Sequence, residues 1–364
     1  LSVKEEKKVP AKNTTSSTEK NKENLVNMEV FSELVPEDVL YGGTNIDEIV
    51  IPNYSAENFK LDADIKLPDY NPQNPVVDSM RTSLFKLPGV DDSIWNELSI
   101  WNRCFSKQIK TASISLCEGR ENYKVRYRLQ KNKQNCPLTI IYPSIGEGIM
   151  SGHSVLLAKL FYDAGYSVII QGSHFQWEFA KSMPADYHPG LPAQDAEILR
   201  NVSAKIVNQL QNKYNCEFGN KIIIGTSFGA LTSLFVASQE SKDNTLGKTK
   251  YIAICPPVNL IYAMKQVDKN TQDWENSSEN LKQKVSSTAA KVVKLYQTKD
   301  NINNNFEINN LPFSEEEGKL ITGFIMHQKL SDLIFTIEGG SKTSSSDIYK
   351  TINNMGYQDY AIKY

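Results

Sequence analysis

The sequence predicts an α/β fold: a mostly parallel, doubly wound sheet with helices between its strands. Three observations predict it. Short apolar runs recur, LTIIYP (138–143), SVIIQGS (167–173), KIIIG (221–225) and YIAIC (251–255). Stretches of helical period separate these runs, and a hairpin pattern precedes them. A strand covered on both faces has no polar side to show, so it reads as a continuous apolar run. Strand–helix repetition then implies parallel strands joined by right-handed crossovers, with the hairpin making the sheet mixed.

Taken in order, residues 1–24 are nearly all polar and read as a disordered tether, since they cannot bury enough surface to offset ordering entropy. Residues 25–105 are rich in Pro, Asn and Asp and read as an irregular lead-in. Its apolar clusters, Ile49–Ile51 and Leu84–Leu87, are expected to lie on a larger body, with Trp95 and Trp101 as packing anchors. The core is expected over 106–260. It opens with the hairpin Lys107–Leu116 and Tyr123–Leu129, joined by a loop of up to six residues. HSVLLAKLFYDAG (153–165) has a helical pattern, as does Ala193–Tyr214, where Leu199, Val202, Ile206 and Leu210 share one face. FGALTSLFVASQ (228–239) is a mostly apolar helix. Residues 261–364 read as a helical cap, with amphipathic helices at Leu281–Tyr296 and Glu315–Phe335 around an Asn-rich link.

Composition sets the bounds. The 364 residues suggest two domains by length alone, yet the pattern holds one core. Lys and Arg number 40 against 42 Asp and Glu, a net charge of −2, so no basic excess points to nucleic acid or an anionic membrane. No run of about 18 apolar residues exists to form a transmembrane helix. The five cysteines have no metal-ligand spacing, and none of the residues is expected to hold a metal. Cys255, in an apolar run, reads as buried, and spacing permits a Cys104–Cys117 disulfide, so the redox compartment stays open. Oligomeric state is likewise open. The chain begins with Leu1, and a polar tether suits an exported or periplasmic protein that has lost its leader; the alternative is cytoplasmic.

One motif carries chemistry. In IIIGTSFGA (222–230), Gly225, Ser227 and Gly229 form G-x-S-x-G where a buried strand meets an apolar helix. Such a turn leaves the serine strained, with its hydroxyl exposed, and side chains two residues either way would collide with the neighbouring strand and helix. The alternative reading is a glycine-lined turn whose Ser227 caps the helix. A second loop, YPSIGEG (142–148), follows the strand at 138–142, and loops at the carboxyl ends of strands converge on the site.

On these two segments and the strand order around them, residues 107–260 resemble the α/β-hydrolase family. The resemblance implies a nucleophilic serine, Ser227, activated by an imidazole and an acid, with no cofactor or metal. It implies oxyanion donors on the backbone of Phe228 and Ile145, with Gly146 allowing close approach. Many members have His-Gly where this chain has Pro143 and Ser144. The implied activity is that of a serine hydrolase acting through an acyl-enzyme, esterase or lipase-like with peptidase as the sister option, on a small-molecule or lipid-like acyl compound. The family's chain order is Ser, then acid, then His. His327 is the histidine beyond Ser227, and it sits in a helical pattern; it is the candidate base. His174 and His188, on the loop after 167–170, are pocket candidates. His153 reads as a capping or surface residue, and Asp195 as a first-turn carboxylate serving the helix dipole; Asp186 and Asp332 have no supporting pattern. With no final strand pair before Tyr364, two explanations stand: the sequence is a piece of a longer product, or the triad has departed from the family pattern. The alternative function is a non-catalytic binding protein that keeps the fold.

Overall fold

The computed structural model describes residues 73–84, 105, 108–275, 281–298, 311–339 and 344–364. Helix α1 (Pro75–Leu84) precedes a hairpin, β1 (Lys110–Ile114) and β2 (Tyr123–Arg128). There follow β3 (Cys136–Tyr142), α2 (Gly152–Asp163), β4 (Ser167–Ile170), α3 (Trp177–Ser182), α4 (Pro192–Tyr214), β5 (Phe218–Thr226), α5 (Phe228–Asp243) and β6 (Thr249–Ile254). The remaining described elements are helices: α6 (Leu260–Glu275), α7 (Leu281–Thr298), α8 (Glu315–Gly339), α9 (Ser345–Asn354) and α10 (Tyr357–Lys363). Apart from Lys363, every described residue falls in one unit of the chain, Lys66–Ile362 with Tyr364.

The six strands lie in the order β1-β2-β4-β3-β5-β6. The hairpin and its pairing to β4 are antiparallel, and the β4-β3-β5-β6 portion is parallel. The expected α/β class is therefore the observed one. Strand periodicity explains how both faces are filled. Leu138, Ile140 and Tyr142 of β3 face a cluster with Leu199, Ile206 and Leu210 of α4, while Ile141 faces the opposite cluster with Val155 and Ala158 of α2. Helices thus cover both faces of the central strands.

A buried polar network fixes the carboxyl ends of β3 and β4. Ser203 of α4 donates its one proton to the Leu199 carbonyl (2.8 Å), so its oxygen accepts from both Tyr142 Oη (2.8 Å) and Gln171 Nε2 (2.7 Å). Burial pushes the Tyr142 phenol far above its ordinary range, which keeps it a donor. Tyr123 of β2 receives the Gly172 N–H and donates to the Gly172 carbonyl.

The far edge differs. Among the described residues β6 pairs only with β5, and Lys250, Ile252 and Ile254 on one of its faces are exposed. Later in the chain, α8 packs against α1, α3, α6 and α9. No described helix is long and apolar enough to cross a membrane.

Four expectations change. The hairpin connection spans Ser115–Asn122, longer than six residues, because β1 ends at Ile114. Within the lead-in expected to be irregular, Pro75–Leu84 is helical; Val77 and Met80 bury against Leu311 and Phe313. Cys255 is exposed, since it follows the uncovered edge strand and adopts φ 51°. Cys117 is a free thiol. Cys104, Trp95, Trp101, Ile49–Ile51 and the tether at 1–24 lie outside the described residues.

Candidate active site

Where β5 passes into α5, Ser227 takes φ 51° and ψ −118°. A left-handed φ costs a non-glycine residue roughly 1–2 kcal/mol, so the surrounding structure must impose it. The flanking glycines show how. A Cβ at Gly225 would lie 2.2 Å from the Gly229 carbonyl oxygen, and one at Gly229 would lie 2.3 Å from that of Tyr142 and 2.4 Å from that of Pro143. Strand and helix approach too closely for any side chain, and the turn between them must be sharp. The Ser227 N–H donates to the Ile254 carbonyl (2.9 Å), tying the turn to β6. The Ser227 side chain makes no capping hydrogen bond to α5, so the capping alternative is not what the structure contains. Phe228 opens α5, where a helix has no internal acceptor for its first N–H groups.

The loop after β3 lies against this turn. Ser144 Oγ is 3.1 Å from Thr226 Oγ1, one residue before Ser227. The Glu147 N–H donates to the Ser144 carbonyl (3.1 Å), closing a turn around Ile145 and Gly146, and Gly146 has φ 68°. The Ser173 N–H donates to the Glu147 carbonyl (2.8 Å), joining the loop to the one after β4. Gly146 is also pressed by α8: a Cβ there would meet Lys329 Cβ at 2.8 Å. Ile145 and Phe228 share an apolar cluster with Leu330, Leu333 and Ile334 of α8.

The electrostatics of this loop centre on Glu147. Burial pushes its carboxyl up, but hydrogen bonds from His153 and Ser151 and the Lys329 charge hold it below its ordinary value. His153 Nδ1 is 3.6 Å from Glu147 Oε1 on an exposed side chain, and this bond raises the imidazole pKa. Burial lowers the Lys329 ammonium, against the pull of Glu147.

The structure brings His174 to the turn. Its ring, 2% exposed, stacks on Phe228 at 5.0 Å. Its Nε2 lies 3.5 Å from Asp195 Oδ2. Asp195, 1% exposed, accepts from Tyr187 Oη (2.7 Å) and the Gly190 N–H (2.8 Å). Asp195 stands in the first turn of α4 as expected, and it is in addition the buried hub of the loop that follows β4. A local pattern could not reveal this, because its partners fold back onto it across the loop.

His188 stacks on Tyr364 at 4.6 Å. Tyr364, Tyr360 and Phe175 continue as a series of ring contacts to Phe228, so α10 closes over the same loop. His327 is half-buried on α8, and its carbonyl accepts from Ser331 Oγ. Among the described residues, no hydrogen bond, ion pair or ring contact links His327 to Ser227. Asp186 and Asp332 are exposed. No group of three or more His, Cys, Asp or Glu among the described residues could hold a metal ion.

No protein-family model matches the chain, and no curated protein matches it. Solved structures do match. A bacterial brefeldin A esterase, a homologue of human hormone-sensitive lipase, is 11% identical over 75% of this chain and 58% of its own, with a TM-score of 0.33. A Pyrobaculum calidifontis esterase is 19% identical over 52% of this chain and 60% of its own (TM-score 0.32). A thermostable carboxyl esterase from Bacillus coagulans is 13% identical over 63% of this chain and 76% of its own (TM-score 0.31). The chain spans 49%, 60% and 46% of the first three solved structures it matches. At such values likeness decides no activity, and the functional reading rests on the chain's own geometry.

Proposed function

We propose that this chain is a serine hydrolase of the α/β-hydrolase type, cleaving an ester or other acyl bond through an acyl-enzyme on Ser227. One observation carries the reading: Ser227 is strained at φ 51° between two glycines that have no room for a Cβ, at the carboxyl end of a central parallel strand. Ser227 Oγ attacks the acyl carbon and loses its proton to an imidazole. The developing oxyanion accepts from the Phe228 and Ile145 N–H groups, helped by the positive end of α5. Collapse expels the alcohol, which takes the proton, and water then repeats the sequence on the acyl-serine. The chemistry asks for no metal or organic cofactor.

Ile145, Leu231, Met264 and Met326 pack against the apolar cluster that holds Phe228, which suits a small-molecule or lipid-like acyl group. Helices α6 and α8 to α10 serve as the cap that selects it. Two histidines compete as base. His327 has the family's chain order. His174 has the carboxylate partner and the ring contact to Phe228, and the geometry favours it.

A fluorophosphonate probe tests the proposal. The reading expects one labelled peptide containing Ser227, no labelling of Ser227→Ala, and slower labelling of His174→Ala than of His327→Ala. Absence of labelling, with no turnover of a short-chain p-nitrophenyl ester, sinks the hydrolase reading. It would leave the second one, a binding protein that keeps the fold.

A further inference from the structure

At the amino-terminal ends of β3 and β4 lies a cavity of about 420 Å³, where β1 begins and β2 ends. It is separated from Ser227 by the length of the strands, about 20 Å for the seven residues of β3. Lys110, Arg128, Lys131 and Lys133 line it, with the rings of Tyr127, Tyr162 and Tyr214. No Asp or Glu does.

The cations converge. The ammonium groups of Lys110, Lys133 and Lys213 lie 5.6, 5.7 and 5.7 Å from the centre of the Tyr214 ring. Lys110 donates to Tyr214 Oη (3.5 Å) and Lys213 to Tyr127 Oη (3.5 Å); the two phenols are 2.9 Å apart. Arg128 is already oriented. Its guanidinium lies 4.5 Å from the Phe105 ring and 4.0 Å from that of Tyr162, and its two terminal nitrogens donate to Gln108 Oε1 (2.7 Å) and the Phe105 carbonyl (3.4 Å).

Several cations elsewhere have carboxylate partners, among them Lys159 with Asp163, Arg200 with Asp243 and Lys291 with Glu317. Among the described residues none of Lys110, Arg128, Lys131, Lys133 or Lys213 is in such a pair. Like charges held together without a counter-charge repel, and an anion of matching charge relieves that repulsion. The Tyr214 phenol reports the same field. Burial pushes its pKa up, but the Tyr127 hydrogen bond and the Lys110 and Lys213 charges bring it below its ordinary value.

We propose that this cavity is a binding site for a polyphosphorylated anion, carrying at least two phosphoryl groups, at the end of the sheet opposite Ser227. Arg128 meets one phosphoryl group through the N–H donors that Gln108 and Phe105 leave unused, and the lysines neutralise the rest as point charges. More than one group is required, because four lining cations exceed the charge of a single phosphate dianion. The volume falls within the range of small-ligand sites, about 300–1,000 Å³.

The test is calorimetric titration of the whole chain with inorganic pyrophosphate at fixed ionic strength. The expected result is saturable binding, at least tenfold tighter than inorganic phosphate. In Lys110→Ala/Lys133→Ala the affinity should fall at least tenfold, whereas Lys284→Ala, which removes a cation of another region, should leave it unchanged. Ultraviolet titration of the tyrosines, with Tyr214→Phe as reference, gives a readout independent of stability: pyrophosphate should shift the Tyr214 phenol to higher pH. Vesicles containing a phosphoinositide bisphosphate, against phosphatidylcholine alone, distinguish a lipid headgroup from a free ligand as the source of the phosphates. Pyrophosphate binding no tighter than phosphate, an unchanged double variant, or an unmoved Tyr214 titration would each overturn the proposal.

Discussion

At the carboxyl ends of the strands, Ser227 is held at φ 51° between glycines that admit no Cβ. At the amino ends, three lysine ammoniums crowd one tyrosine ring without a carboxylate. One end holds backbone constraint and the other holds charge. Backbone constraint depends on contacts at hard-core distance, so it tolerates no change of shape. Charge acts over several ångströms and is screened by water, so it tolerates substitution and yields to salt. The two ends should therefore respond very differently to single changes.

The largest effect belongs to Gly229→Ala. Its Cβ would meet backbone oxygens of Tyr142 and Pro143 inside 2.5 Å, and backbone cannot rotate away as a side chain can. The expected loss is about 3 kcal/mol or more, read by chemical denaturation. Gly119→Ala is the matched control. Gly119 has φ 74° but nothing within 4 Å, so only the conformational cost of about 1–2 kcal/mol applies. Equal losses at the two sites would break the account of the turn as a steric lock.

Asp195→Asn comes next. The variant keeps a side chain of the same shape but removes the charge that receives Tyr187 and Gly190 and faces His174. A loss of about 2 kcal/mol is expected, together with slower acylation. Unchanged acylation would separate the His174–Asp195 pair from the chemistry.

Tyr127→Phe probes the amino end. It removes the hydrogen bond to Tyr214 and should cost only about 1 kcal/mol. A loss near that of Gly229→Ala would erase the contrast between the ends.

The smallest effect is at His153. Its imidazole should titrate above the ordinary 6.5 by NMR, and Glu147→Gln should bring it back toward that value. The sign follows from the two shifts. Glu147 is depressed on folding, so its share of stability is present above its ordinary 4.5 and is lost as pH falls through the folded value. His153 is raised, so its share is full below 6.5 and fades as pH rises through its folded value. The pair contributes most between pH 4.5 and 6.5. Because His153 is largely exposed, the contribution should stay under about 1 kcal/mol.

The contrast also explains what the sequence revealed. The turn at Ser227 is encoded within residues 222–230, since a sharp strand-to-helix passage demands glycine at fixed local spacing. Strands β3 to β5 were legible for the same local reason, because burial on both faces leaves an apolar run. The run at 251–255 looks alike yet falls at the edge of the sheet among the described residues, with Ile252 and Ile254 exposed: a run records apolarity, not what covers it. The Ser144–Thr226 contact was not legible, because it joins segments that only the sheet brings together, and the His174–Asp195 pair was not, because the loop after β4 must fold back on itself to form it. The tyrosine cavity was missed for that reason too. Its cations come from β1, β2 and the loop after β2, and its rings from β2, α2 and the end of α4, and each segment alone reads as an ordinary solvated surface.

The central claim, that Ser227 carries the acyl group, is tested most directly by trapping the intermediate. The protein is mixed with p-nitrophenyl acetate, quenched in acid within the first turnover, and weighed intact. The account predicts one added acetyl group, located on the peptide containing Ser227 and absent from Ser227→Ala at unchanged fold. An acetyl group on another residue, or ester turnover undiminished in Ser227→Ala, would contradict it.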